Sequence, residues 1–149
     1  MKEKEREFSQ NLDGESSVVN FTQFFFDERV VLEILKEILE GENRGKKVVS
    51  VVLIDSLKMK ELNRIYRKKD YVTDVLSFFY NEEDLLGEIV LCPEKIKENV
   101  KKEDFTKEFY RVTIHGALHL LGYDHLNDED ERVMNKKTEH YLKIFLKKL

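Results

Sequence analysis

Apolar side chains recur at helical spacing in four parts of the chain, and Pro93 can begin a fifth, short and charged, helical segment. Val30, Ile34 and Ile38 follow the three-to-four spacing of an amphipathic helix over residues 27–42. Comparable patterns with capping residues or an initial proline predict four more helices, which begin near residues 55–56, 93, 104–106 and 128. At the last of these, Asp128 and Glu131 predict a capping box.

Runs of β-branched and aromatic residues predict four strands. The nearly unbroken apolar run 48–54 is typical of a central strand buried on both faces. Three further runs predict strands at 18–21, 72–79 and 86–92, of which the last two could form a hairpin. Because strands and helices are interspersed, we expect an α+β fold in which helices pack over a small mixed sheet.

Composition favours one domain behind a polar tail. Residues 1–17 contain few large apolar groups and predict an N-terminal extension, whereas residues 18–149 are enough for one core. No apolar run approaches the roughly 18 residues that span a bilayer, and no secretion signal is recognisable, so we expect a cytoplasmic protein without a membrane partner. The single cysteine, Cys92, excludes an internal disulfide and is interpreted as a core residue.

Three of the four histidines form the most informative motif. His115 and His119 are four residues apart in a predicted helix and project from one face, while Gly122 can end the helix and return His125 towards them. Three imidazoles with one coordination position left open are typical of a catalytic zinc site. We therefore expect residues 18–149 to form a metal-dependent hydrolase domain with a zincin-like three-histidine site that binds one Zn²⁺. The fourth histidine, His140, is expected to be structural.

The residue after the first histidine argues against a protease. Zincin proteases carry their glutamate base at this position of His-Glu-x-x-His-x-x-Gly-x-x-His, but this chain has Gly116. Glycine cannot transfer a proton. A phosphodiester depends less on such a base, because a metal can activate water and a cation can stabilise the charge of the transition state. Arg67 is the candidate cation, so the predicted catalytic residues are Arg67, His115 and His119.

A basic segment precedes the third predicted strand. The net charge of −4 argues against a generally basic nucleic-acid binder, but the local excess of Lys and Arg in residues 58–69 could contact RNA phosphates. A solvated helix face is the alternative. The predicted substrate-binding residues are Arg64, Arg67, Lys68 and Ser77. Asp124 could orient a metal ligand or cap the turn after Gly122, and the sequence leaves both roles open.

Two blocks of the chain resemble the YbeY family of bacterial endoribonucleases. The eleven-residue histidine motif, His115 to His125, is the more specific of the two. The second block comprises Leu62-Asn63-x-x-Tyr66-Arg67, Thr73-Asp74-Val75-Leu76-Ser77-Phe78 and Leu86-Gly87-Glu88-Ile89. Proline is usual in the family where Val72 and Phe79 stand, and aspartate where Glu88 stands. The first two departures should alter loop rigidity rather than chemistry, whereas the third puts a precise role for Glu88 in doubt.

The resemblance implies a specific function. It implies one zinc ion on His115, His119 and His125, with Arg67 as the functional arginine. It also implies cleavage of single-stranded RNA, processing near the 3′ end of small-subunit ribosomal RNA, ribosome quality control, and a ribosome-associated GTPase and ribosomal proteins as partners. Two alternatives remain: a metallohydrolase of another class, such as an atypical peptidase or esterase, or a non-enzymatic, zinc-stabilised adaptor on the ribosome.

Overall fold

A computed structural model describes residues 15–147 of the chain. Residues 1–14 of the predicted extension 1–17 lie outside this range, and Ser17 already belongs to the first strand. Within the described residues, no helix is long and apolar enough to cross a membrane. The expected α+β fold with a small mixed sheet is confirmed.

The described residues form a four-stranded sheet in the order β1-β2-β4-β3. Its strands are β1 (Ser17–Asn20), β2 (Val48–Leu53), β3 (Val75–Glu82) and β4 (Leu85–Leu91). β1, β2 and β4 run parallel, and β3 pairs antiparallel with β4 at one edge. Every residue of β2 is buried, which confirms the central strand predicted from its unbroken apolar run.

The predicted hairpin of β3 and β4 forms, but β3 lies three residues later than the pattern predicted. Residues 72–74 approach the strand as a loop, and the ladder continues to Glu82, which pairs with Leu85. The sequence 80–82 is too polar to predict this extension. The ladder is irregular between Phe79 and Glu82, and the pairing of Glu82 with Leu85 across the short turn extends the strand regardless of the side chains.

Five helices accompany the sheet in the described part of the chain. They are α1 (Glu28–Gly41), α2 (Ser56–Arg67), α3 (Pro93–Asn99), α4 (Phe105–Leu120) and α5 (Asp128–Leu146). Asp27 and Asp55 cap α1 and α2 through their carboxylates. The predicted capping box of α5 is wrong: Asn127, one residue earlier, accepts the hydrogen bond from the Asp130 N–H at 2.9 Å.

The apolar core lies on both faces of the sheet. Val49, Val51 and Leu53 of β2 pack on one face with the buried sides of α1, α4 and α5. Val52 joins Met59 and Leu62 of α2 on the other. This alternation follows the period of two along a strand. The sheet therefore fixes α4 on one face and α2 on the other, and these two helices supply half of the predicted site residues.

Candidate metal centre

Three imidazoles converge where α4 ends. His115 and His119 lie on α4, and their ring centroids are 5.0 Å apart. Gly122 has the left-handed φ of +100° predicted for it, and its N–H donates to the His119 carbonyl at 3.0 Å. The chain then turns back, so that His125 Nε2 lies 3.0 Å from His115 Nε2. The possible ligand atoms of the three histidines all lie within 4.8 Å of one another.

The protonation of the His115 and His119 rings suits metal binding. Burial, and then the neighbouring His119, His125 and Arg111, lower the pKa of His115 to about 4. Burial is also the largest cause that lowers the pKa of His119. Both rings are therefore neutral at neutral pH, which is the form that ligates a metal. The donor set fits a metal ion, and imidazole nitrogen is a common ligand of zinc.

Gly116 is required by packing. A Cβ atom there would lie 2.8 Å from Ile89 Cγ2 and 3.3 Å from Ser77 Oγ, so α4 sits too close to the sheet for a side chain. The Ser77 hydroxyl donates to the Gly116 carbonyl at 3.1 Å across the same contact. Side chains of β3 and β4 thus occupy the space that a side chain would need at the position where zincin proteases carry their glutamate base.

Gly116→Ala is expected to destabilise the protein by about 1–2 kcal/mol. Overpacking of a tight core costs roughly 1–3 kcal/mol, and a Cβ only 2.8 Å from the buried Ile89 side chain belongs in the upper half of that range. The better helix propensity of alanine offsets about 1 kcal/mol of this cost. Urea unfolding measures the change. Gly45→Ala is the matched control, because its Cβ would meet only Glu40 Cγ at an ordinary 3.5 Å. Equal stability of both variants would contradict the close approach of α4 to the sheet.

The loop that carries His125 is tied to α1 through a cluster around Glu42. The carboxylate accepts hydrogen bonds from Tyr123 at 2.6 Å, Tyr141 at 2.5 Å and Lys137 at 3.0 Å. Burial opposes the charge of Glu42, but these three donors outweigh it and lower the pKa of the carboxyl group. Tyr123 lies between Gly122 and His125 in the chain, so this cluster holds the turn that returns the third imidazole. Sequence analysis did not identify Glu42, which is 81 residues from Tyr123.

A cleft of about 850 Å³ opens beside the histidines. It is bounded by the end of α2, the loop before β3, β3 itself and α4. Arg67 and Ser77 line it together with His115 and His119. The positive charge of Arg67 also contributes to lowering the pKa of His119. The structure thus brings the predicted cation and two of the predicted metal ligands into one cavity.

The remaining predicted site residues do not line this cleft. Arg64 and Lys68 are exposed and do not line the cleft, although they neighbour Arg67 in the chain. Asp124 accepts a hydrogen bond from the backbone N–H of His125 at 2.7 Å. Its charge also acts to raise the pKa of His119. His140 is exposed, and its ring packs edge-on against Tyr141.

Three charged residues that line the cleft, Asp74, Glu108 and Arg111, were not identified as site residues from the sequence. Arg111 lines the cavity and is held by ion pairs with Glu108 and Glu139. It lies four residues before His115, so its helical spacing could have indicated a shared face. Asp74 also lines the cleft, and burial raises the pKa of its carboxyl group against hydrogen bonds from Thr73 and the local backbone. A raised carboxyl pKa in a cleft is a common mark of a functional site.

Comparison with known proteins decides the family. The family model described as Endoribonuclease YbeY matches residues 14–146. The chain belongs to the YbeY family. An endoribonuclease YbeY of Thermotoga petrophila is 44% identical over 115 residues, which are 75% of this chain and 76% of that protein. An endoribonuclease YbeY of Chlorobium luteolum is 34% identical over 126 residues, 83% of this chain and 92% of that protein.

A solved structure agrees with this assignment. The solution structure of TM1509 from Thermotoga maritima matches with a TM-score of 0.57 and 38% identity, and covers 85% of this chain and 87% of that one. The family resemblance inferred from the two sequence blocks is therefore confirmed. Membership of the YbeY family supports a role as an endoribonuclease, and hence as a hydrolase that acts on RNA.

Proposed function

We propose that this YbeY-family chain is a zinc-dependent endoribonuclease that cleaves single-stranded RNA. The observation that carries the proposal is the cleft in which Arg67 accompanies His115 and His119, with His125 alongside. A metal-binding group beside a cation matches the two needs of phosphodiester hydrolysis, which are an activated nucleophile and stabilisation of phosphate charge. We assign residues 18–149 to this hydrolase domain and residues 1–17 to an extension.

The predicted residues divide between metal binding and RNA binding in this proposal. His115, His119 and His125 would hold Zn²⁺, which when bound lowers the pKa of water and neutralises a phosphate oxygen. Arg67 binds the scissile phosphate through its guanidinium group, which matches two phosphate oxygens at once. Ser77 is held by the Gly116 carbonyl, which leaves its oxygen as an acceptor towards the cleft. Arg64 and Lys68 bind phosphates outside the cleft.

The biological setting is proposed from family membership. We place this activity in processing near the 3′ end of small-subunit ribosomal RNA and in ribosome quality control, in the cytoplasm. A ribosome-associated GTPase and ribosomal proteins of the small subunit are the proposed partners.

Zinc removal tests the proposed activity. The full chain, loaded with zinc, is expected to cleave a single-stranded RNA from the 3′ end of small-subunit ribosomal RNA and to leave a duplex of the same sequence intact. Chelation should abolish the cleavage, and added zinc should restore it. Hydrolysis of peptides or small esters with no cleavage of RNA would favour the metallohydrolase alternative.

The chemical ends of the RNA products identify the nucleophile. A 2′,3′-cyclic phosphate indicates attack by the ribose hydroxyl, and a 5′-phosphate indicates attack by water.

A further inference from the structure

An exposed aromatic ring lies in the cleft. Phe79 lines the cavity with Arg67 and His119, yet 62% of its surface is accessible to solvent. Large aromatic side chains dominate cores and interfaces, so an exposed ring inside a charged cleft is informative. Other exposed apolar residues, such as Phe25 at 93%, do not line this cavity.

The strand geometry directs Phe79 to the histidine side of the sheet. Side chains alternate along β3, so Phe79 shares a face with Val75 and Ser77. That face meets α4, because Ser77 bonds to the Gly116 carbonyl. Phe79 pairs with Gly87 of β4, and a Cβ on Gly87 would lie 2.8 Å from Leu120 at the end of α4. Phe79 therefore lies near the part of the helix that carries His119.

The surroundings of the ring suit a nucleic acid strand. Arg67 lines the same cavity and offers positive charge for phosphates, whereas Arg111 there is paired with Glu108 and Glu139. An aromatic platform beside such charge is the usual arrangement for binding single strands, because every base has a face that can stack. Bases within a duplex are already covered on both faces by their neighbours.

We propose that Phe79 is a stacking platform for one unpaired base of the RNA strand that occupies the cleft, and so contributes to the choice of single strands. This inference rests on the proposed function and adds a specificity residue to it. A stacked base next to Arg67 fixes the position of the adjacent phosphate.

A structural role for Phe79 is the competing explanation. Aromatic rings often cover a cross-strand glycine and stabilise the sheet, and Gly87 is such a neighbour. The two roles differ in what they predict for RNA. A covering ring affects stability alone, whereas a stacking platform distinguishes strands that have bases from strands that lack them.

Binding of base-free RNA separates the two roles. Fluorescence anisotropy is measured on the full, zinc-loaded chain with a short single-stranded oligonucleotide and with the same backbone made abasic at its central positions. A gel run in parallel restricts the anisotropy readings to the period before either strand is cut. The wild-type protein should favour the base-bearing strand by roughly 5- to 150-fold, the range that one stacked base contributes. Phe79→Ala should bring the two affinities close to each other, and Phe79→Trp should restore the preference.

Phe25→Ala is the matched control, since it removes an exposed ring that lies outside the cleft. The inference is overturned if Phe79→Ala keeps the wild-type preference, or if Phe79→Trp, folded as judged by circular dichroism, fails to restore it. Equal binding of both strands by the wild-type protein overturns the stacking role of Phe79 but leaves the proposed RNA function in place. Binding of neither strand overturns the proposed RNA function together with this inference.

Discussion

His119→Ala is expected to remove both the metal and the cleavage of RNA. His119 is one of three imidazoles whose ligand atoms lie within 4.8 Å of one another, and two ligands hold an ion far less tightly than three. Loss of a group that merely orients a ligand costs about 10- to 100-fold, so loss of a ligand itself should lower the cleavage rate by more than about 100-fold. Zinc content of the purified protein and initial cleavage rates measure the two effects.

His140→Ala is the matched control for this variant. His140 is an exposed histidine on α5, and its substitution should leave zinc content and cleavage close to the wild type. If His119→Ala loses zinc, stays folded by circular dichroism and still cleaves RNA at the wild-type rate, the metal is not needed for cleavage and the proposed mechanism is wrong.

The histidine motif was predictable because its geometry is local. His115 and His119 share a face through the period of the helix, and Gly122 reverses the chain within three residues of His119. The buried strand β2 was likewise encoded in one apolar run. Each of these predictions needed only neighbours in the chain, and the described structure confirms the helix, the turn and the strand.

The cleft depends on tertiary contacts that sequence patterns do not report. Arg67 ends α2 on one face of the sheet, whereas His115 lies on α4 on the other, and the edge strand β3 joins them into one cavity. The charge pattern of the basic segment 58–69 does not indicate which of its cations line that cavity. Only Arg67 of its cations lines the cleft. Glu42 was missed for the same reason, because its partners Tyr123 and Tyr141 are distant in the chain.

Gly116 was interpreted from the sequence as evidence against a protease, but the sequence did not show why a side chain is absent there. Its lack of a proton-transferring group argued against peptide hydrolysis. The structure adds that Ile89 and Ser77 occupy the space that a side chain would need. The absence of the protease base is therefore built into the packing of α4 on β3 and β4.

Arg67→Ala is expected to lower the cleavage rate by about 100- to 1000-fold, the cost of removing a group that stabilises charge in a transition state. Arg67 lines the cleft with His115 and His119 but does not belong to the three-histidine group, so zinc content should not change. Arg67→Lys should recover only part of the rate, because an ammonium group retains the charge but loses the two-pronged contact with phosphate. Cleavage kinetics over a range of RNA concentrations separate kcat from KM for each variant.

Arg132→Ala controls for the loss of a surface arginine, since this side chain on α5 is 72% exposed and pairs with Glu129. Its kinetics should match the wild type. A rise in KM with unchanged kcat in Arg67→Ala would reduce Arg67 to a residue that binds the RNA strand equally in the ground and transition states. Unchanged kcat and KM with zinc still bound would remove Arg67 from the mechanism. The expected fall in kcat at constant zinc content would instead place its guanidinium group at the phosphate that reacts.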